Sequence, residues 1–387
     1  MLNFEFCSPT KFVFGRGSEN QTGALVRQAG GTRALVVYGG GSVVRSGLLD
    51  RVLASLDEAG VEHVEMGGVK PNPRSDLVYE GIRLCREHGL DFILPLGGGS
   101  AIDTAKAIAD GVPYDGDFWD FFSRKAVLTT ALPVGCVLTI PAAGSEGSES
   151  SVITHTDGNL KRGLGHPLHR PRFAVMNPEL TFTLPRYQLA CGATDMMAHI
   201  FERYFSNTKD VELTDRMAEA LLGAIIDAAP KALADAQDYE SHATLMWAGM
   251  LAHNNTVGVG REQDWGSHQI GHELSALYDC AHGASLAVVF PAWMKYVYKH
   301  DVPRFVRFAT RVWNVSPEGK TDEEIALEGI EATKAFFASL GMPVTFEAVG
   351  GREEDIPFLA ANVVNGQVGR FVTLKPAQIE ELLRSAK

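Results

Sequence analysis

Apolar positions in the first half of the chain come in short runs, each followed by a stretch with helical spacing. "RALVVYGGGS" is an apolar strand ending in glycines. "SVVRSGLLDRVLASLDEAG" continues it with apolar residues at i, i+3 and i+4 and a glycine stop at Gly60. The alternation repeats: "VEHVEM" reads as strand, "SDLVYEGIRLCREHG" as helix, "LDFILPLGGGS" as strand, "SAIDTAKAIADG" as helix and "LPVGCVLTIP" as a fourth strand. "SSVITH" and "KRGLGH" predict a small hairpin after it. Such alternation predicts a parallel sheet covered on both faces, with ligands bound at the carboxyl ends of its strands.

Beyond Leu184-Pro185 the strand signal fades. Amphipathic runs follow at roughly 186–206, 210–234, 239–256, 264–278, 284–299, 301–313, 321–340, 352–364 and 376–386, and Thr321 with Glu324 forms a capping box. The expected fold class is an α/β N-terminal domain with a Rossmann-like parallel sheet, residues 1–184, plus an all-α C-terminal domain, residues 185–387. The proline-punctuated "NPELTFTLP" marks the boundary. A length of 387 residues agrees with two domains.

Composition narrows the function. A net charge of -12 argues against a nucleic-acid partner, which would need a basic surface. No run of about 18 apolar residues exists to predict a membrane span, and "MLNFEFCSPTKFVFG" lacks the layout of a signal peptide. The five cysteines (Cys7, Cys85, Cys136, Cys191, Cys280) are scattered without a CxxC, as expected of reduced thiols in a cytoplasmic protein.

Two "GGGS" segments, Gly39–Gly40–Gly41–Ser42 and Gly97–Gly98–Gly99–Ser100, each join a strand to a helix. Glycine allows close backbone approach, and a helix start attracts phosphate. Neither segment fits GxGxxG, since Val44 and Ile102 take the last position, and GxxxxGK[ST] is missing. A dinucleotide in a variant of the doubly wound fold is the better reading. Asp103 either caps its helix or bonds a nucleotide group. "YGGGSVVRSG" has no acid for a ribose 2′-OH and offers Ser42 and Arg45, which favours NADP(H). Glu65 is the residue that would reverse this toward NAD(H).

Asp195 and His199 lie four residues apart in "CGATDMMAHIFERYF", hence on one helix face with Cβ atoms about 6 Å apart. Both can reach one point at metal-ligand distance. "WGSHQIGHELSALYDCAHGASLAVVFP" adds His268, His272 and His282. One carboxylate with two or three imidazoles favours Zn²⁺ or Fe²⁺ over Mg²⁺ or Ca²⁺. "HQIGH" is not a zinc-protease motif, because Gln269 stands where Glu is needed. Spacing leaves open which of His253, His268, His272 and His282 join Asp195.

Taken in order, "TKFVFGRGS", "YGGGSVVRSGLLD", "PNPRSD", "GGGSAIDTAK", "LTIPAAGSE", "NPELTFTLP", "GATDMMAHIFERYF", "PKALAD", "QDWGSHQIGHEL" and "AHGASLAVVFPAWM" resemble the iron-containing alcohol dehydrogenase family. The resemblance spans nearly the whole chain and is nearest to the butanol-dehydrogenase-like, NADP-dependent aldehyde-reductase branch. It implies the two-domain fold shared with dehydroquinate synthases. It implies Asp195, His199, His268 and His282 as metal ligands, and His272 as a non-ligand catalytic histidine near the nicotinamide. It puts Gly97 through Asp103 at the pyrophosphate, Gly39 to Ser42 by the adenosine ribose, Asn72 on the adenosine side, and Thr139, Ser145, Lys161 and Leu180 along the cofactor.

The branch's "PATGSE" here reads "PAAGSEGSES". Ala143 thus replaces a hydroxyl that meets the cofactor, and Gly147 and Ser148 predict a more mobile wall. The implied activity is metal-dependent, reversible hydride transfer between NADP(H), or NAD(H), and a primary alcohol or aldehyde by a cytoplasmic homodimer. "LAHNNTVGVGREQDWG" is expected to line the substrate side, with Trp265 limiting chain length. A glycerol-dehydrogenase-like polyol oxidase is an alternative, as is a dehydroquinate-synthase-like lyase. The lyase would need basic residues, of which Arg203 and Arg261 are nearest in sequence.

Overall fold

A computed structural model describes residues 1–158, 160–363 and 366–387. They form two compact units, one of Cys7–Leu184 and one of Pro185–Lys387 with Met1–Phe6. The first six residues, expected with the sheet, attach to the helices instead, where the Leu2 N–H donates to the Gly260 carbonyl at 2.8 Å.

The Cys7–Leu184 unit holds a six-stranded, wholly parallel sheet in the order β1-β8-β5-β4-β2-β3. Its strands are β1 (Lys11–Phe14), β2 (Arg33–Gly39), β3 (Glu62–Val69), β4 (Phe92–Gly97), β5 (Gly135–Leu138) and β8 (Phe173–Met176). The hairpin predicted after the fourth strand is β6 (Ser150–His155) against β7 (Leu160–Gly165). Helices α1 (Thr22–Gln28), α2 (Ser42–Arg45), α3 (Leu48–Glu58), α4 (Ser75–His88), α5 (Gly99–Gly111) and α6 (Trp119–Phe122) complete the unit. Alternate strand residues face opposite ways. Leu35, Val37 and Ile93 therefore pack in a core with α4 and α5 residues, whereas Ala34, Val36, Phe92 and Leu94 pack in another with α1 and α3 residues. Both faces are covered, as a parallel sheet requires.

Two readings change here. The single helix expected after β2 is two, α2 and α3, divided at Gly47. Strands β1 and β8, which the apolar pattern did not single out, are only four residues each. Runs that short carry too little periodicity to register, and neighbouring strands supply the pairing that makes them strands.

In the second unit the helices are α7 (Arg186–Tyr204), α8 (Glu212–Ala234), α9 (Tyr239–His253), α10 (Gly266–Tyr278), α11 (His282–Val297), α12 (Val302–Val312), α13 (Asp322–Ser339), α14 (Ile356–Asn362) and α15 (Pro376–Ser385). Each predicted run has its helix. The 352–364 run begins as a short 3-10 turn at Glu353–Asp355, and residue 364 lies outside the described residues. The Thr321–Glu324 capping box is present at the start of α13. Helix α7 is buried almost all round, from Leu189 to Tyr204. None of the described helices is long and apolar enough to cross a membrane.

Candidate functional site

The centre of the helical unit is built on α7. A 3.6-residue period places Asp195, His199 and Glu202 on one face, and all three are buried. Helix α10 contributes His268 and α11 begins at His282. One donor atom from each of Asp195, His268 and His282 falls within 4.8 Å of the other two. The Nε2 atoms of His268 and His282 each stand 3.9 Å from Asp195 Oδ1. Gly283 makes this approach possible: a Cβ there would lie 2.2 Å from the Cys191 carbonyl oxygen of α7. No side chain fits between the two helices at that point.

His199 is outside this trio of donor atoms but packs on it. Its Nδ1–H donates to the Asp195 carbonyl at 2.9 Å, which makes Nε2 the unprotonated ring nitrogen. Its ring centroid is 4.6 Å from that of His268 and 4.1 Å from that of His253. Burial, then the neighbouring imidazoles and Arg203, hold its pKa well below the ordinary histidine range. A neutral imidazole is the form that a metal needs. A buried carboxylate close to buried and half-buried imidazoles, with the tautomers of His199 and His268 fixed by their Nδ1 bonds, fits a first-row divalent ion.

Among the candidate histidines, His253 is turned to Arg203, whose guanidinium lies 3.0 Å from its Nδ1. His272 is half-buried beside the trio, its ring 5.1 Å from that of His282. Trp265 packs over His199, His253 and His268 with centroids 5.8, 5.7 and 5.1 Å away, and Arg203 sits over its indole. Trp265 has φ 65°, an unusual conformation for a bulky residue. Arg203 and Arg261 donate to the His199 and Arg203 carbonyls, and Arg261 also pairs with Asp215 at 2.8 Å. Those cations are engaged within the fold and do not form the basic pocket that a phosphorylated lyase substrate needs.

Spacing did not single out Glu202 or Asp264. The Glu202 carboxylate accepts the His268 N–H at 2.9 Å, the His268 Nδ1–H at 2.8 Å and the Trp265 N–H at 2.6 Å. Burial pushes its carboxyl up to about 8, against those donors. Asp264 accepts from the Gly266, Arg370 and Phe371 N–H groups, and burial pushes it up to about 7. The i, i+4, i+7 spacing of Asp195, His199 and Glu202 was the available signal for the first; nothing local marks the second.

In the sheet unit both "GGGS" segments leave carboxyl ends of adjacent strands, β2 and β4. The chain lays β3 on one side of β2 and then returns to lay β4 on the other. That reversal is the topological switch point where open α/β sheets bind ligands. Gly41 holds φ 102°, and a Cβ there would meet the Arg45 guanidinium at 3.3 Å, so Arg45 folds back over the loop. Thr139 follows β5, its N–H bonded to the Gly97 carbonyl at 3.0 Å. Lys161 donates to Asn72 Oδ1 at 2.9 Å, which joins two residues predicted along the cofactor. Leu180 packs against the core on the α1 and α3 side, and Glu65 accepts from the Tyr38 hydroxyl at 3.1 Å.

Asp103 does not cap α5, which starts without a side-chain cap. It lies in the second turn, and its carboxylate accepts from Ser145 Oγ at 2.6 Å and the Val152 N–H at 2.9 Å. The wall at Gly147 and Ser148, expected to be more mobile, carries several hydrogen bonds from buried cations. Buried Lys106 donates to the Ser145, Ser148 and Ser150 carbonyls and lies 2.9 Å from Ser145 Oγ. Arg170 donates to the Gly147 carbonyl, and His169 links Asp110 to the Glu149 carbonyl. Asp103, Lys106 and Asp110, at i, i+3 and i+7 on α5, thus clamp the loop from below. Ser145 serves this clamp with its hydroxyl.

Comparison with known proteins agrees with both halves. The family model "Iron-containing alcohol dehydrogenase" matches residues 9–178, and the model of that family's C-terminal region matches residues 189–387. The chain is 44% identical over 390 residues to the probable NADH-dependent butanol dehydrogenase 2 of Bacillus subtilis, covering 100% of both. It is 38% identical over 366 residues to the NADPH-dependent aldehyde reductase YqhD of Escherichia coli, covering 93% of this chain and 92% of that one. The crystal structure of NADH-dependent butanol dehydrogenase A from Thermotoga maritima is similar with a TM-score of 0.97 at 40% identity, covering 100% of this chain and 99% of that one. The chain belongs to the iron-containing alcohol dehydrogenase family, and its activity class is alcohol dehydrogenase, read in reverse as aldehyde reductase.

Proposed function

We propose that the chain catalyses reversible hydride transfer between NADP(H) and a primary alcohol or its aldehyde, with linear substrates of about the size of butanol. The observation that carries this is the meeting of Asp195, His268 and His282 donor atoms within 4.8 Å in a chain of this family. These three, with His199, would hold Fe²⁺ or Zn²⁺. When bound, such an ion supplies Lewis-acid polarisation of the substrate oxygen. A bound dinucleotide would supply nicotinamide C4 as the hydride donor or acceptor for the substrate's carbinol carbon. His272, half-buried beside His282, relays the hydroxyl proton to solvent through a ring nitrogen. Trp265 shields the imidazoles from water and bounds the substrate's chain.

The β2–β4 switch point supports dinucleotide binding by the Cys7–Leu184 unit, with the pyrophosphate at Gly97–Ser100 and the adenosine ribose at Gly39–Ser42. Arg45 over Gly41, in a loop without an acid, supports the 2′-phosphate of NADP(H). Relatives named for NADH and for NADPH both align along nearly the whole chain, so cofactor choice is a direct test of the loop. Exposed Leu2, Phe4 and Phe6, and separately the terminal position of β1 in the sheet, support a homodimer. The scattered cysteines, with no disulfide among the described residues, support a cytoplasmic location.

The decisive assay follows NADPH oxidation spectrophotometrically with butanal. Chelator-treated enzyme should lose turnover and regain it with Fe²⁺ or Zn²⁺. His268→Ala should abolish turnover and leave the NADPH fluorescence titration unchanged. Turnover that survives either treatment refutes the assignment.

A further inference from the structure

Glu202 sits where three demands meet. It lies on the α7 face that carries Asp195 and His199, it is buried, and it faces the first turn of α10. Its Oε2 accepts the Trp265 N–H, and its Oε1 accepts both the N–H and the Nδ1–H of His268. A carboxylate from another helix therefore caps α10, where unsatisfied N–H groups and the positive end of the dipole favour an anion. The same oxygen decides where the His268 proton sits. A neutral imidazole has one N–H, and an oxygen that already accepts the His268 backbone N–H, 2.8 Å from Nδ1, fixes it there. The Nε2 lone pair is then left on the side of Asp195 Oδ1, 3.9 Å away. Trp265, in its left-handed conformation, is held by that carboxylate over the three imidazoles.

We infer that Glu202 is the positioning residue of the metal centre: it sets the tautomer and ring angle of His268 while anchoring α10 and Trp265, and so sets the affinity for the divalent ion. Asp195 and His199 come from one helix and are placed by local geometry. His268 comes from another, and Glu202 is the link that puts it in register. The inference rests on the metal-centre reading above.

Asp264 provides the control. It caps the same helix through the Gly266 N–H, two residues before His268. Apo protein is titrated with Zn²⁺ against a chromophoric chelator. Glu202→Gln keeps the volume but presents an amide N–H₂ to one of the two sets of donors. Its Zn²⁺ affinity should fall 10–100-fold, the usual effect of losing a partner behind a ligand histidine. Asp264→Asn should stay within about 3-fold of wild type if helix capping alone is at stake. Equal losses in the two variants, or no loss in Glu202→Gln, overturn the inference. If Glu202→Gln fails to fold, the wild-type apo protein decides. Long-range ¹H–¹⁵N spectra of the histidine-labelled chain, assigned with His268→Asn, should show His268 protonated on Nδ1, and protonation on Nε2 overturns the inference. A wild type that binds no Zn²⁺ defeats the metal reading, whereas the tautomer spectrum still judges Glu202.

Discussion

Replacing Lys106 with methionine tests whether the loop over α5, beside the proposed cofactor site, is held by one buried charge. The ammonium is wholly buried, with the Ser145, Ser148 and Ser150 carbonyls at 2.8, 3.1 and 2.8 Å and Ser145 Oγ at 2.9 Å. Methionine fills the volume and donates nothing. Three hydrogen bonds to a charged donor stabilise by roughly 1.5–3 kcal/mol each. Relief of the ammonium's desolvation, several kcal/mol, offsets part of this. A net loss of about 3 kcal/mol in the opening free energy of the loop is expected, which is about a hundredfold in protection. Hydrogen exchange in peptides covering 143–155 reads that quantity directly and needs no two-state unfolding of the whole chain.

The same residue gives a pH signature. Burial lowers its pKa from 10.5 to about 8, with Asp103, Cys136, Glu146 and Arg170 as the charged or titratable groups around it. Between those pH values the opened chain holds a proton that the closed one has released. Wild-type stability therefore rises with pH across this window, by up to roughly 3 kcal/mol, and the variant lacks the rise. The gap between the two should widen from pH 8 to pH 10, and the NADPH KM of the variant should rise while kcat changes little. Equal protection at pH 7, or a gap that narrows on the alkaline side, refutes the reasoning.

Two further outcomes are expected. Arg45→Ala should reduce kcat/KM for NADPH by tenfold or more, the loss of one charge-assisted bond of about 1.5–3 kcal/mol, and change that for NADH by less than about twofold. An equal effect on both cofactors removes Arg45 from the 2′-phosphate. Phe4→Asp with Phe6→Asp should convert a dimer to a monomer in size-exclusion chromatography with light scattering, at unchanged circular dichroism; an unmoved mass places the interface elsewhere.

Local pattern and tertiary placement divide cleanly in this protein. Helix periodicity alone put Asp195 and His199 on one face, because residues four apart are neighbours wherever a helix forms. Strand–helix alternation predicted the parallel sheet and its two glycine loops, because a sheet buried on both faces requires uniformly apolar strands. It did not reveal β1 and β8, whose four-residue runs become strands through their partners. The Asp103–Lys106–Asp110 stripe had the right spacing, yet its function depends on a loop about 40 residues away folding over α5.

Spacing left His253, His268, His272 and His282 open, and only the family resemblance named His268 and His282; the physical choice is tertiary, through the packing of Gly283 against Cys191 and the turn of His253 toward Arg203. Only the tertiary structure gave Glu202 its role, since its partners lie 63 and 66 positions away along the chain. The sequence by itself determined which side chains share a helix face or a strand end, a matter of nearest-neighbour geometry. Which faces meet was decided by the burial of whole helices against one another, a choice made by many distant residues together and carried by no short motif.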